Sequence, residues 1–404
     1  MGHSATPPLQ QNPATAALLP IMAAVFVAFI VIGLALPVLP LYVHHQLGFG
    51  TFVVGLVAGS QFGAAILSRL WAGRNSDTRG PKIAVVIGLL IAAAAGLLYL
   101  LSLAFVAAPA IAVTILLAGR TLLGVGESFI ITGAQSWGLA LLGVQSTGKA
   151  IAWIGSAMFA AFAVGAPAGS ALYAHWRFTA VASATILLPI ATLAFVAPLP
   201  RIASAARPQA GLLGVMAAVW VPGVASALSS IGFGAITAFS ALLFVARGWA
   251  AWPAFSAFAG AFILTRLALA QLTDRLGGAR VALACVLIEA AGLALLWLSP
   301  WSIAALTGAT LTGFGYSLVY PGFGVEAVRR APPQSRGLAM GAYTAFLDLA
   351  LGFGIPALGG LADLAGLGAA FAASMLASIA AAAIAAVILY GSASRRTCGA
   401  LACS

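Results

Sequence analysis

The chain has 404 residues, of which 63% are hydrophobic and 6% charged, and a formal net charge of +11. Soluble domains carry roughly a quarter charged residues, so a chain this apolar cannot cover itself with a polar surface, and a water-soluble enzyme or binding domain is excluded. Its basic residues are scattered over short segments rather than gathered on one, which argues against a nucleic-acid partner.

Apolar runs of roughly 20 residues, enough to cross about 30 Å of hydrocarbon, recur along the whole length. The pattern predicts twelve membrane helices, at 16–41, 51–70, 83–105, 110–133, 149–173, 179–198, 216–243, 252–270, 280–299, 302–322, 337–359 and 367–391. The runs are continuously apolar rather than alternating, which selects an all-α fold over a barrel. The first run lacks a basic flank and exceeds the roughly 7–15 residues of a leader's apolar core, so it reads as a helix. His44 and His45 adjoin at its outer end, where interfacial packing outranks pH sensing. The second run carries Gln61 and leads into SRLWAGRNSDTRGPK, 68–82, which concentrates Arg69, Gly73, Arg74, Asp77, Arg79, Gly80 and Lys82 in a predicted loop. The fourth helix carries Arg120, Glu127 and Gln135, and the fifth carries GAPAG at 165–169. After the linker PLPRIASAARPQAG, 198–211, the eighth run leads into TRLALAQLTDRLGGAR, 265–280, where Arg266, Asp274 and Gly277 repeat the spacing of Arg69, Asp77 and Gly80. Glu289 is central in the ninth helix, Tyr316 and Tyr320 share a face of the tenth, and Asp348, Gly354 and Pro356 fall in the eleventh.

With a cytoplasmic amino terminus, the inner segments hold Arg69, Arg74, Arg79, Lys82, Lys149, Arg201, Arg207, Arg266, Arg275, Arg280, Arg329, Arg330, Arg336, Arg395 and Arg396, and the outer segments only Arg177 and Arg247. This bias fixes the orientation and places both termini inside. Cys285 lies within a span, while Cys398 and Cys403 fall in a tail on the reducing side with no histidine near, so neither disulfide nor metal site is expected.

GRTLLGVGES at 119–128 matches GATLTGFGYS at 308–317 at a shift of 189, and QSTGKA at 145–150 matches QSRGLA at 334–339 at the same shift. Gly165 and Pro167 fall on Gly354 and Pro356, while Asp77 and Asp274 are related by 197. The chain is therefore two copies of a six-helix unit: a tail at 1–15, one half at 16–199, a cytoplasmic linker at 200–215, a second half at 216–392, and a tail at 393–404. A shift of six helices preserves orientation, giving a parallel repeat.

These features resemble the major facilitator superfamily (MFS) over nearly the whole chain. Gly73, Asp77, Gly80 and Lys82 match its loop signature, with Thr78 and Pro81 in place of two basic positions. Arg120 with Gly124 matches its helix-four arginine motif. GAPAG, including Gly165, Pro167 and Gly169, is similar to the helix-five motif of its efflux branch. In detail the chain resembles a bacterial subgroup of MFS-type transporters often labelled sugar-efflux or arabinose-type. The resemblance implies two six-helix halves in a bacterial inner membrane, alternating access, and a cavity lined by helices one, four, seven and ten. No cofactor is expected, and the chain is expected to act as a monomer.

Topology alone accounts for Arg74, Arg79 and Lys82, but a carboxylate contributes little to orientation. Asp77 is expected to meet the start of helix eleven, capped by Ser335, and Asp274 the start of helix five, capped by Ser146, with Gly73, Gly80, Lys82 and Gly277 completing an inner gate. Gly165, Pro167, Gly169, Gly354 and Pro356 serve either close packing or the hinges on which the halves rock. A charge at a helix centre costs about 2.5–3.5 kcal/mol or more and tends to face a cavity. Arg120, Glu127, Asp348 and Glu289 are accordingly the candidates for coupling, Glu289 leaning to a structural role because ninth helices are peripheral in the family. Gln61, Gln135, Tyr316 and Tyr320 are candidates for reading a solute. No HExxH, Walker loop or serine–histidine–acid set accompanies them, so no enzyme is expected. The expected function is proton-coupled efflux of small polar or amphiphilic solutes, with uptake by symport or a non-transporting sensor as alternatives; the partners are solute, protons and lipid.

The orientation has a direct check. In a cysteine-free background, Arg207→Cys should resist an impermeant thiol reagent added to intact cells and react once the cells are opened; labelling from outside would reverse the topology.

Overall fold

The computed structural model describes residues 13–142, 147–201, 212–269, 271–332 and 336–401. The helices are α1 (Pro13–Ala35), α2 (Val38–Leu41), α3 (Thr51–Arg79), α4 (Pro81–Leu103), α5 (Pro109–Leu142), α6 (Thr147–Val196), α7 (Leu212–Ala246), α8 (Trp252–Leu269), α9 (Leu272–Leu276), α10 (Gly278–Leu298), α11 (Ser302–Arg330), α12 (Arg336–Ala365) and α13 (Leu367–Leu401). Pro37 has no N–H to continue the ladder, so the first span breaks there and resumes through α2 and a π turn at Tyr42–Gln46.

Among the described residues, 11 helical runs are long and apolar enough to cross a membrane. The predicted fifth and sixth spans account for the difference from twelve. They form the single run α6, 50 residues long, and at about 1.5 Å per residue it greatly exceeds the roughly 30 Å core. It folds back at Arg177, whose φ of 58° is non-helical. Two further boundaries correct the sequence reading. The charged stretch at 68–82 is not a loop: α3 stays helical through Arg79, and the chain turns at Gly80 alone, with φ 94°. Gly277, φ 91°, makes the same turn between α9 and α10. Both turns need a residue without a Cβ.

The repeat is visible in the packing. α4 lies on α5 as α10 lies on α11, and α3 on α5 as α8 on α11. A side chain at Gly124 would overlap the Gln61 backbone, and one at Gly313 the Phe258 backbone; Gly126 abuts the Gly88 carbonyl and Gly315 that of Cys285. Each of these pairs of neighbours differs by the shifts 189 and 197 seen in the sequence.

The two halves meet along two seams, α3 on α12 and α6 on α8, and the first is much the more extensive. Gly55, Gly59 and Gly63 form a small-residue stripe on α3. A Cβ at Gly55 would come 2.6 Å from the Ile355 carbonyl, and one at Gly59 2.8 Å from Pro356 and 2.9 Å from the Gly352 carbonyl. Such close approach is how apolar helices gain contact energy in a solvent as apolar as themselves. At the α6–α8 seam, Phe162 of α6 and Phe255, Phe258 and Phe262 of α8 line a small apolar cavity.

The α3–α12 seam supplies a paired test. Gly59→Ala places a methyl against Pro356 and should destabilise the protein by about 1–3 kcal/mol, whereas a Cβ at Gly63 meets nothing within 4 Å. Thermal unfolding in detergent should show a lowered midpoint for Gly59→Ala and an unchanged or raised one for Gly63→Ala.

Candidate functional site

Polar side chains converge where α3, α5, α11 and α12 meet. Gly124 lets α5 approach α3 at Gln61, and Gln61 Nε2 donates to Glu127 Oε2 at 2.6 Å. From the same helix, Arg69 Nη2 donates to Asp348 Oδ2 on α12, an ion pair between the two halves. Glu127 and Asp348 are 7% and 3% exposed, and the charges acting on Glu127 include Asp348, Arg69 and Arg120. Tyr320 closes the cluster: its hydroxyl shares a 2.7 Å hydrogen bond with Thr344 of α12, and Arg69, Asp348 and Arg266 are the charges around it. Two buried polar atoms here have no hydrogen-bond partner, the acceptor Gln61 Oε1 and the donor Arg69 Nε.

Arg120, on the same helix as Glu127, is bonded elsewhere. It is fully buried and directed at α3, donating to the carbonyls of Val57 at 3.3 Å and Ala58 at 3.4 Å and to the Tyr99 hydroxyl at 3.4 Å. The spacing of seven residues, about 10 Å along the axis, lets each side chain find a separate partner. Glu289 forms a separate buried site. Ser229 of α7 donates to its Oε2 at 2.5 Å, and the Ser378 hydroxyl neighbours the same carboxylate. Tyr316 stacks on Phe233 at 5.1 Å and shares a 3.2 Å hydrogen bond with Ser230, on the α7 side rather than beside Glu127. Gln135 is half-buried two turns beyond Glu127 and makes none of the described hydrogen bonds.

Of the gate residues, Asp77 is exposed on the last turns of α3, and Gly73 has open space beside it. Ser335, Ser146 and the Asp274 side chain lie outside the described residues. Lys82 acts within one half, donating to the carbonyls of Ala197 and Leu199 at 2.6 Å and closing the end of α6. Gly165 and Gly169 seat α6 on α1 at Gly33 and Leu34, while Pro167 is exposed. Pro356 packs on Gly55 and Gly59 of the other half, and Gly354 faces Ile231. Among the described residues no group of three metal-ligating side chains occurs.

Sequence reasoning gave Arg69 only a topological role and did not single out Asp363. The available signal for Arg69 was its place inside an apolar run, one repeat from Arg266. Arg266 itself donates to the Ser317 carbonyl at 2.7 Å, and the repeat puts Phe159 where the other half has Asp348.

The family model of the Major Facilitator Superfamily matches residues 21–259 and 224–398. The chain belongs to this superfamily. It is 44% identical over 354 residues to an uncharacterized MFS-type transporter of Salmonella typhimurium, covering 87% of this chain and 91% of that one. Among solved structures it is similar to the nucleoside transporter NupG, with a TM-score of 0.73 at 14% identity, covering 92% of this chain and 99% of that one. It is also similar to the E. coli fucose:proton symporter FucP, with a TM-score of 0.65 at 14% identity, over 93% and 98% of the two chains. The protein is thus a multi-pass protein of the bacterial inner membrane and a secondary transporter of a small solute rather than an enzyme.

The Arg69–Asp348 pair can be weighed by a double-mutant cycle. Arg69→Leu leaves a buried carboxylate without its cation, so it should cost more than Arg69→Leu with Asp348→Leu, with a coupling of about 0.5–3 kcal/mol in thermal or denaturant unfolding. Additive effects would show that the contact does not stabilise the seam.

Proposed function

We propose that this chain is a proton-coupled symporter of a small uncharged polar solute, with Glu127 as proton carrier and Arg69–Asp348 as the link on which its charge acts. The observation that carries the reading is a second buried carboxylate, Glu127 on the Gln61 amide, beside the Arg69–Asp348 ion pair at the seam between the halves. With a proton on Glu127, Arg69 balances Asp348. Without it, a second negative charge is buried near Asp348 while Arg69 is already paired with Asp348 and Arg120 is held by backbone carbonyls, in a medium where each charge is poorly screened, and water or a rearrangement must compensate. That difference is what lets a proton bias one arrangement of the halves over the other. Arg120, held by backbone carbonyls, tunes the same field from the far side.

The partnerless acceptor Gln61 Oε1 and donor Arg69 Nε suit a solute that carries both hydroxyl or N–H donors and acceptors. Sugars and nucleosides have this chemistry, the solutes in the names of the two structural neighbours. Efflux, expected from GAPAG, has no support beyond that motif, and its glycines serve packing of α6 on α1. The symport direction rests on the fucose:proton symporter among those neighbours.

A thermal-shift screen of sugars, nucleosides, amino-acid derivatives and antibiotics would supply the solute. Right-side-out vesicles should then accumulate it under an inward proton gradient. In proteoliposomes, Glu127→Gln should abolish accumulation while retaining binding and solute exchange. Normal accumulation by this variant would remove Glu127 as carrier, and accumulation in everted rather than right-side-out vesicles would establish export.

A further inference from the structure

The helix α3 begins at Gly50–Thr51, and its N-cap residue, a glycine, has no side chain to satisfy the first free N–H groups. Those groups are met from the other half of the molecule. Asp363, near the outer end of α12, accepts from the Thr51 N–H at 2.7 Å and the Thr51 hydroxyl at 2.6 Å through Oδ1, and from the Phe52 N–H at 2.9 Å through Oδ2. The Thr51 hydroxyl also lies 2.8 Å from the Gly359 carbonyl. A carboxylate is thus seated on the positive end of a helix dipole, across a distance of 312 residues in the chain. Gly50 leaves room for it, since a Cβ there would lie 3.0 Å from Asp363 Oδ1.

We propose that Asp363 is the latch of the outer gate, a positioning residue that holds the outer ends of α3 and α12 together and must release before the site opens outward. This rests on the alternating-access reading above. Fifteen residues along α12, roughly 22 Å at 1.5 Å per residue, Asp348 holds the same two helices on the inner side. The seam therefore has a polar fastening at each end of the glycine stripe, and outward opening requires the Asp363 contacts to break while an inward one does not. The repeat places Ala174 where the second half has Asp363, so the α6–α8 seam has no carboxylate at the related position.

The test uses the full chain in lipid nanodiscs, with Cys285, Cys398 and Cys403 replaced by serine. One spin-label pair reports the outer side, Ala107→Cys with Trp301→Cys, and another the inner side, Arg201→Cys with Arg330→Cys. Asp363→Ala should raise the population of long outer distances roughly fivefold, the effect of removing one helix cap, with a matching shortening on the inner side. Asp363→Asn, which keeps an acceptor but loses the charge, should shift both pairs the same way by less, and it decides the matter if the alanine variant does not fold. Unchanged outer distances overturn the proposal. So does outer lengthening without inner shortening, because fraying of α3 alone would do that. Distances that respond in a protein without proton-driven flux would remove the symport reading and leave the latch; unresponsive distances in a transporting protein would remove the latch alone.

Discussion

A charged side chain in hydrocarbon has no water to answer it, and it is tolerated only where another part of the protein supplies the compensation. In this molecule the ion pair between Arg69 and Asp348 meets that demand across the boundary between two six-helix halves. In the proposed mechanism, stability and movement therefore share one contact. On that mechanism a change of charge near Asp348 alters the adhesion of α3 to α12, and Glu127, which accepts from the neutral amide of Gln61, is the nearby group whose proton would do so. The close glycine and proline surfaces on either side of the contact make the seam sensitive to small displacements, since packed surfaces rearrange between discrete states rather than stretch.

The two halves are copies, yet they are not used alike. Arg69 and Arg266 are related by the repeat, but Arg69 crosses to the other half while Arg266 binds a carbonyl on the neighbouring α11. Asp348 and Asp363 are both on α12, and the related positions on α6 are Phe159 and Ala174. One seam is thus fastened by carboxylates and narrow glycine contacts, and the other carries a small cavity lined by phenylalanine side chains. On the proposed alternating-access mechanism, rocking of the halves would break polar contacts on one side and slide apolar surfaces on the other.

The number of spans and the internal repeat were legible because hydropathy and a constant shift depend on residue order alone. The fold-back at Arg177 was expected as a break between two spans and occurs as one. The inner extension of α3 was not legible: charges at 68–79 look like a loop, but nothing in that stretch stops a helix until Gly80 adopts a positive φ. Pairings were the least legible part. Arg69 and Asp348 lie 279 residues apart, and the partner of each depends on how the helices are rotated. Arg120 and Glu127, close in sequence and on one helix, turned to different neighbours for the same reason. Asp363 carried no pattern, since an acid at the end of a span looks like any loop charge until the bare N-terminus of α3 is placed beside it.

The central claim is that solute and proton cross together through the Glu127 site, and movement of protons driven by the solute itself tests it most directly. Purified protein is reconstituted without any imposed gradient, with a pH-sensitive dye inside the vesicles, and an uncharged transported solute is added outside. The account predicts acidification of the lumen as the solute enters, and its loss with Glu127→Gln. Solute uptake by the unaltered protein with no change in internal pH would contradict it.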